Sequence, residues 1–405
     1  MKIIGGLGVL ILSAGGFAGA QAAAPQRGVS ISPTVRLTYD SNVLGGRHVI
    51  RDDTVSGTHD VRLSPSLDIS VAYPFGRQSA FLGGSIAYDF YRRHNQLNRE
   101  RISLDGGVNI VGPASCASSL GVGYSRRQSD VEDLILAPDG TTLVNVVNVQ
   151  ETRRYSANIS CGATTGLRPG VGYSRSETRN SGTRELQNIV SDTFTGSLGY
   201  ARPAFGQLSL YGSYRNGRYP NRPSLSGPGS DGIKVYSGGL SYEREIGSRL
   251  GGNVSVGYTQ VEPDAPQVPK FHGMSYSAAI RYQPFERLNT TLSASRSPEQ
   301  SNLLVVSYSI STAYSFSGTY AINDRLSATF GVRYSTRRFR GSPLLPGALV
   351  REEDRTFGTN AGLRFKARQR LSMGLDASYR KRTSDGNQLL GFSAKQVSAM
   401  VGLEF

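Results

Sequence analysis

The feature that most constrains this chain is a two-residue alternation that returns along its length. Leu371, Met373, Leu375, Ala377 and Tyr379 interleave with Ser372, Gly374, Asp376, Ser378 and Arg380. Ala328, Phe330, Val332 and Tyr334 interleave with Thr329, Gly331, Arg333 and Ser335, and Val306, Tyr308, Ile310 and Tyr314 with Ser307, Ser309, Ser311 and Ser315. Successive side chains of a strand point to opposite faces, so each segment is a strand with one apolar face and one face of hydroxyls, glycines and charges. The second face is too small and too polar to form a core: Gly121, Gly123, Ser125, Ser209, Ser213, Ser255, Gly257, Ser275, Ser277, Gly358, Asn360 and Gly362 all lie on it. A sheet that turns apolar side chains to lipid, encloses water and leaves no edge unpaired satisfies both faces.

Such segments recur about every 20 to 25 residues, with short and long connections in turn. Short turns fall near residues 74–77, 112–115, 164–166, 203–206, 247–248, 284–287, 318–324 and 367–369. Long ones fall near 41–58, 94–98, 130–147, 180–188, 220–232, 262–270, 298–303, 341–354 and 384–390. This predicts one all-β domain, a transmembrane antiparallel up-and-down barrel of about 18 strands with short periplasmic turns and long extracellular loops. An even count brings both ends to the periplasmic side, where the last strand can pair with the first. That last strand, Ser398–Phe405, alternates through Ala399, Val401, Leu403 and Phe405. It resembles the closing strand of bacterial outer-membrane barrels, whose final aromatic is part of the signal read by the barrel-assembly machinery. The resemblance implies that machinery and periplasmic chaperones as partners.

Aromatic side chains give an independent check, because such barrels carry a ring of them at each interface. Tyr39, Tyr88, Tyr124, Tyr173, Tyr214, Tyr258, Tyr334 and Tyr379 precede long loops and are expected at the outer interface. Tyr73, Tyr200, Tyr242, Tyr282, Phe316, Phe365 and Phe405 precede short turns or the last residue and are expected at the inner one.

Residues 1–22 read as a signal peptide: Lys2, an apolar run from Ile3 to Leu12, and the small-x-small site Ala20-Gln21-Ala22. Residues 23–28 are then a short periplasmic segment and 29–405 the barrel. Behind an export signal, a net charge of +15 points to lipopolysaccharide phosphates or anionic cargo and away from nucleic acid. The only two cysteines, Cys116 and Cys161, share the outward parity of their strands at the periplasmic end of one hairpin. A cross-strand disulfide is expected, with two free thiols as the alternative.

Strand parity sorts the basic residues. Arg126, Arg175 and Arg338 face outward just beyond the outer tyrosines, where a basic rim neutralises lipopolysaccharide phosphates. Arg62, Arg127, Arg154, Arg215, Arg281, Arg333, Arg337, Arg364, Lys366 and Arg380 face inward, together with Asp68, Asp89, Asp105, Glu243, Glu245 and Asp376. Either the excess positive charge favours anions in an aqueous bore, or these groups form ion pairs along the wall with no transport role. Two loops could fold into the bore. Residues 130–147 carry Leu134-Ile135-Leu136 and Leu143-Val144 around Pro138-Asp139-Gly140, a hairpin signal. Residues 341–354 carry Pro343, Leu344, Leu345 and Pro346 before Arg351-Glu352-Glu353-Asp354.

Catalysis finds no support: the four histidines, His48, His59, His94 and His272, are scattered, without the His-x-Ser motif of barrel lipid hydrolases or metal-ligand spacing. No catalytic residue, metal site or cofactor is expected.

At the first strand, Tyr39-Asp40-Ser41-Asn42-Val43 resembles the start of a family of outer-membrane β-barrel porins, some of which accompany exopolysaccharide operons in Gram-negative bacteria. The resemblance implies passage of a polysaccharide across the outer membrane with periplasmic export partners. Two other readings stand beside this passive conduit: a general or anion-selective porin for small solutes, and a non-conducting structural or surface-interaction barrel. Asp40 and Asn42 are expected to form a polar turn closing the first strand.

Overall fold

The computed structural model describes residues 28–45, 58–129, 135–136, 143–144, 148–223, 230–301, 306–341, 352–385 and 391–405. The expected signal peptide therefore lies outside the described residues. In chain order the strands are β1 (Gly28–Asp40), β2 (Asp60–Phe75), β3 (Gln78–Tyr91), β4 (Arg99–Val111), β5 (Ala117–Ser129), β6 (Ile135–Leu136), β7 (Leu143–Val144), β8 (Asn148–Ser160), β9 (Gly166–Asn180) and β10 (Ile189–Arg202). There follow β11 (Gly206–Pro223), β12 (Ser230–Ile246), β13 (Leu250–Pro263), β14 (Phe271–Phe285), β15 (Leu288–Gln300), β16 (Val306–Ala321), β17 (Leu326–Gly341), β18 (Glu353–Lys366), β19 (Leu371–Asp385) and β20 (Phe392–Leu403).

Apart from β6 and β7, which pair only with each other, the strands form one 18-stranded antiparallel sheet in which each pairs with its neighbours in sequence. The sheet closes on itself: β1 pairs with β20 from Thr34 opposite Gly402 to Asp40 opposite Gln396. Ile31 and Phe405 exchange both backbone hydrogen bonds, at 3.2 and 3.0 Å. Closure matters because in hydrocarbon an unpaired edge leaves N–H and C=O groups without any partner. At the outer end of the seam, Asn42 N–H donates to the Asp40 carboxylate and Gly45 N–H to the Asn42 side chain. Asn42 and Gln396 then tie this turn to β20.

The alternation read from the sequence holds along the wall. Leu375 and Val332 are 58% and 45% exposed on the lipid side. The inner turns are tight; Gly76 and Gly247 take φ of 62° and 61°, a left-handed conformation that a side chain resists. Outer aromatics pack on one another, Tyr88 on Phe90 along β3 and Tyr173 on Phe194 across β9 and β10, at 4.5 and 5.0 Å between centroids, and the Tyr276 and Tyr314 hydroxyls lie 2.8 Å apart. The inner ring contains Tyr73 beside Phe75 and Phe205 beside Tyr242. One assignment shifts: β16 continues to Ala321, so its inner-interface ring is Tyr320, and Phe316 sits higher, packed on Phe330.

Cys116 and Cys161 are joined by a disulfide, with Cα atoms 3.9 Å apart, between the β4–β5 turn and the inner end of β8. On the chain-entropy account, closing a loop of 45 residues contributes about 4 kcal/mol.

Candidate channel and its constriction

The inner face is lined by short polar side chains that bond one another across strands. On β12 to β16, Ser237 meets Thr259, Ser255 meets Ser277 and Ser293 meets Ser315, at 2.9, 2.8 and 2.6 Å. Thr259 also donates to Ser275 at 2.8 Å. Tyr211 of β11 lies flat along this surface over Gly257, where a Cβ would come within 2.5 Å of its hydroxyl oxygen. Side chains this short leave the middle of an eighteen-stranded ring to water.

The strongest charge arrangement runs along the inner faces of β18, β19, β1, β2, β3 and β4. Asp376 sits between Arg364, at 2.9 Å, and Arg36, at 3.7 Å. Asp89 sits between Arg62, at 3.9 Å, and Arg101, at 3.8 Å, and accepts from Ser64 at 2.6 Å. The Arg62 guanidinium also donates to the Tyr91 hydroxyl at 3.2 Å. The row climbs from Arg364, near the inner end of β18, to Arg62 and Arg101, near the outer ends of β2 and β4. Within the row four guanidinium groups share two carboxylates, and Asp68 of β2 and Asp105 of β4 lie on the same inner faces. Three of the four pairs are separated by nearly 4 Å and all stand beside water, so they contribute little stability.

Of the inward basic residues expected from sequence, Arg62 and Arg364 belong to this row. Arg36 and Arg101 also belong, although they were not singled out; their parity with Thr34, Thr38, Ser103 and Asp105 carries the signal. Arg127, Arg154, Arg281 and Arg333 are exposed on the inner face with no carboxylate partner among the described residues. Arg337 and Lys366 are exposed there too, Arg337 in register with Asp354. Arg380 and Arg382 cover the ring of Phe392, at 5.1 and 4.8 Å from its centroid. Arg215 has a different place.

Arg215, on the inner face of β11, donates to the carbonyl of Pro298 on β15, at 2.7 Å. Its neighbour on the same face, Tyr219, is wholly buried; its hydroxyl donates to Ser307 O at 2.6 Å and accepts from Ser301 N–H at 3.1 Å. Around these bonds Ile233 and Val235 of β12, Val261 of β13, and Ala265 and Val268 of the following loop bury against Tyr308 and Ile310 of β16, with Phe271 at the edge. On β12 the exposed, lipid-facing side chains are Tyr236, Leu240 and Ile246, so Ile233 and Val235 point inward. The outer end of the β15–β16 hairpin therefore folds into the barrel and lies against the inner face of β11, β12 and β13. Tyr308 and Ile310, expected on the lipid side by their parity with Tyr314, are 0% and 5% exposed inside the mouth. Their strand face is unchanged, but the inward bend of the hairpin turns that face toward the opposing inner wall.

This hairpin narrows the mouth from one side. Counted around the ring, β12 stands opposite β1, so the basic row lines the side that the hairpin leaves open. The two loops that the sequence offered as constrictions fall largely outside the described residues. Of the first, Ile135 pairs with Val144 and Leu136 with Leu143 as a two-stranded hairpin.

At the outer rim, Asp60 accepts from the backbone N–H groups of Val61, Arg93 and His94 and pairs with His94 Nδ1 at 2.8 Å, both side chains fully buried. This ties the β3–β4 loop to β2. Among the described residues, no hydroxyl or other group meets His94 Nε2, and no cluster of three or more metal-ligating side chains occurs.

Residues 218–405 match the sequence family described as "Putative beta-barrel porin 2". No curated protein matches the chain. Among solved structures, OccK2 (OpdF) of Pseudomonas aeruginosa is 14% identical over 93% of this chain and 98% of its own, with a TM-score of 0.48. OpdK of the same organism is 10% identical over 93% and 99%, with a TM-score of 0.48. A BenF-like porin of Pseudomonas fluorescens Pf-5 is 12% identical over 93% and 99%, with a TM-score of 0.46. The sheet closed on itself, apolar outside and polar inside, is the architecture of a transmembrane β-barrel, and over residues 218–405 the chain is similar to that porin family.

Proposed function

We infer that the channel conducts passively and favours small anionic solutes. The observation that carries this is the one-sided mouth: the inward hairpin narrows it, and the open side presents Arg36, Arg62, Arg101 and Arg364, with Asp89 and Asp376 between them and Asp68 and Asp105 on the same inner faces, while Arg127, Arg154, Arg281 and Arg333 add positive charge with no carboxylate partner among the described residues. Excess fixed positive charge concentrates anions and repels cations within a Debye length, about 8 Å at physiological salt. The polysaccharide-export reading rests on the motif Tyr39–Val43 alone, and a mouth filled on one side by a packed hairpin favours small solutes over a polymer.

Planar-bilayer recording under a potassium chloride gradient tests this. The expected result is steady conductance with a reversal potential on the chloride side, and loss of that preference in R36A/R62A/R101A/R364A. A silent, correctly folded barrel would return the protein to the structural class, and cation preference would remove the role assigned to the arginines.

A further inference from the structure

The lipid-facing surface is not uniform. On β3, β4, β5 and β8, one row runs Gly84, Leu104, Tyr124, Arg153 and the next row toward the periplasm runs Leu82, Gly106, Val122, Tyr155, each residue in register with the next. Gly106 has no side chain, and Leu104, Val122 and Tyr155 stand around it, leaving a hollow of about 350 Å³. The hollow is lined mainly by the apolar side chains of Leu82, Leu104, Val122 and Tyr155, with Asp105 and Gly123 also in its lining, and ends, on the outer side, at Tyr124 and Arg153.

Arg153 differs from the other outward arginines nearby. Arg126 is held by Glu100 and Glu151 at 2.8 and 3.0 Å, and Arg175 by Glu177 at 2.8 Å. Arg153 is half-buried at the level of the tyrosine ring and has no ion-pair or hydrogen-bond partner among the described residues. Glu177 stands in register with Arg153 on β9 but is taken by Arg175 and Arg179; a guanidinium at the membrane interface whose facing carboxylate is already paired is poised for an anion from outside the protein, and an acyl-chain-sized trough beneath it specifies what that anion is attached to.

We propose that this trough is a binding site for one lipid A molecule of the outer leaflet, with an acyl chain laid over Gly106 and a phosphate on Arg153. A free phosphate would use Arg153 but not the trough, and an uncharged lipid the trough but not Arg153. The site faces away from the bore, so it stands or falls separately from the anion preference inferred above.

Native mass spectrometry of the detergent-solubilised barrel, titrated with purified lipid A and with its dephosphorylated counterpart, tests the site. One lipid A should bind the wild type at a concentration about tenfold lower than the dephosphorylated form, the scale of one charge-assisted contact. R153A should lose that margin and R153K should keep part of it. G106V should weaken both lipids by filling the trough; a Cβ at Gly106 comes to 3.4 Å from Leu82 Cδ1 and Phe81 O, the edge of ordinary contact, and heat-modified gel mobility shows whether the variant barrel is folded. Conductance should be unchanged in all three. Equal binding of the two lipids by the wild type, or undiminished binding by both R153A and G106V, would overturn the proposal.

Discussion

Tyr219 shows how much a single hydroxyl can hold. It satisfies the Ser301 N–H and the Ser307 carbonyl inside the mouth, where the rest of the ring is packed from all sides. Y219F should leave both backbone groups buried without that partner, a cost of about 1–3 kcal/mol. The expected outcome is a barrel with unaltered strand content but noisier single-channel current and a second, larger conductance level. At Asp376, the D376N change removes the charge shared by Arg36 and Arg364 and should move the reversal potential further toward chloride, read under the same salt gradient. The sequence showed which residues face inward, because parity is a local property of a strand. It did not show that Arg36 meets Asp376, since β1 and β19 are brought within reach only by the seam with β20.

Among the elements, the β15–β16 hairpin carries the constriction. Its strand boundaries are legible in the sequence, but alternation assigns Tyr308 and Ile310 to the lipid side because it fixes a face relative to its own strand, not to the barrel. The missing signal lay elsewhere: Ile233, Val235, Val261 and Phe271 are apolar residues on the water face of three successive strands, and such a patch needs a cover. Each buried aliphatic side chain contributes about 1.5–3 kcal/mol to holding the hairpin in place. I233D, which sets a carboxylate in that cluster, should release the hairpin and raise conductance severalfold. Replacing residues 299–307 by a short glycine linker should have the same effect, and matching current levels in the two variants would show that the hairpin alone sets the limit. A barrel whose conductance ignored both changes would assign the constriction to another segment.

Across the whole molecule, stability rests on the ring being complete. Removing Phe405 deletes the residue that exchanges two backbone bonds with Ile31, and the variant should lose its compact form at a lower temperature in a heated-gel mobility assay. Reducing the Cys116–Cys161 bond should lower that temperature further, without altering conductance, because the bridge lies far from the mouth. Barrel architecture and strand number were readable from the chain because hydrocarbon imposes one rule on every strand; the shape of the passage was not, because it depends on one hairpin crossing to a distant inner face. That division has a consequence for how such a protein can change. The molecular sieve resides in a dozen or so residues held by side-chain contacts inside the ring, while the lipid contacts and the seam belong to others. New permeants can therefore be admitted or refused by editing the tuck of one hairpin, with the membrane-facing shell passed on intact.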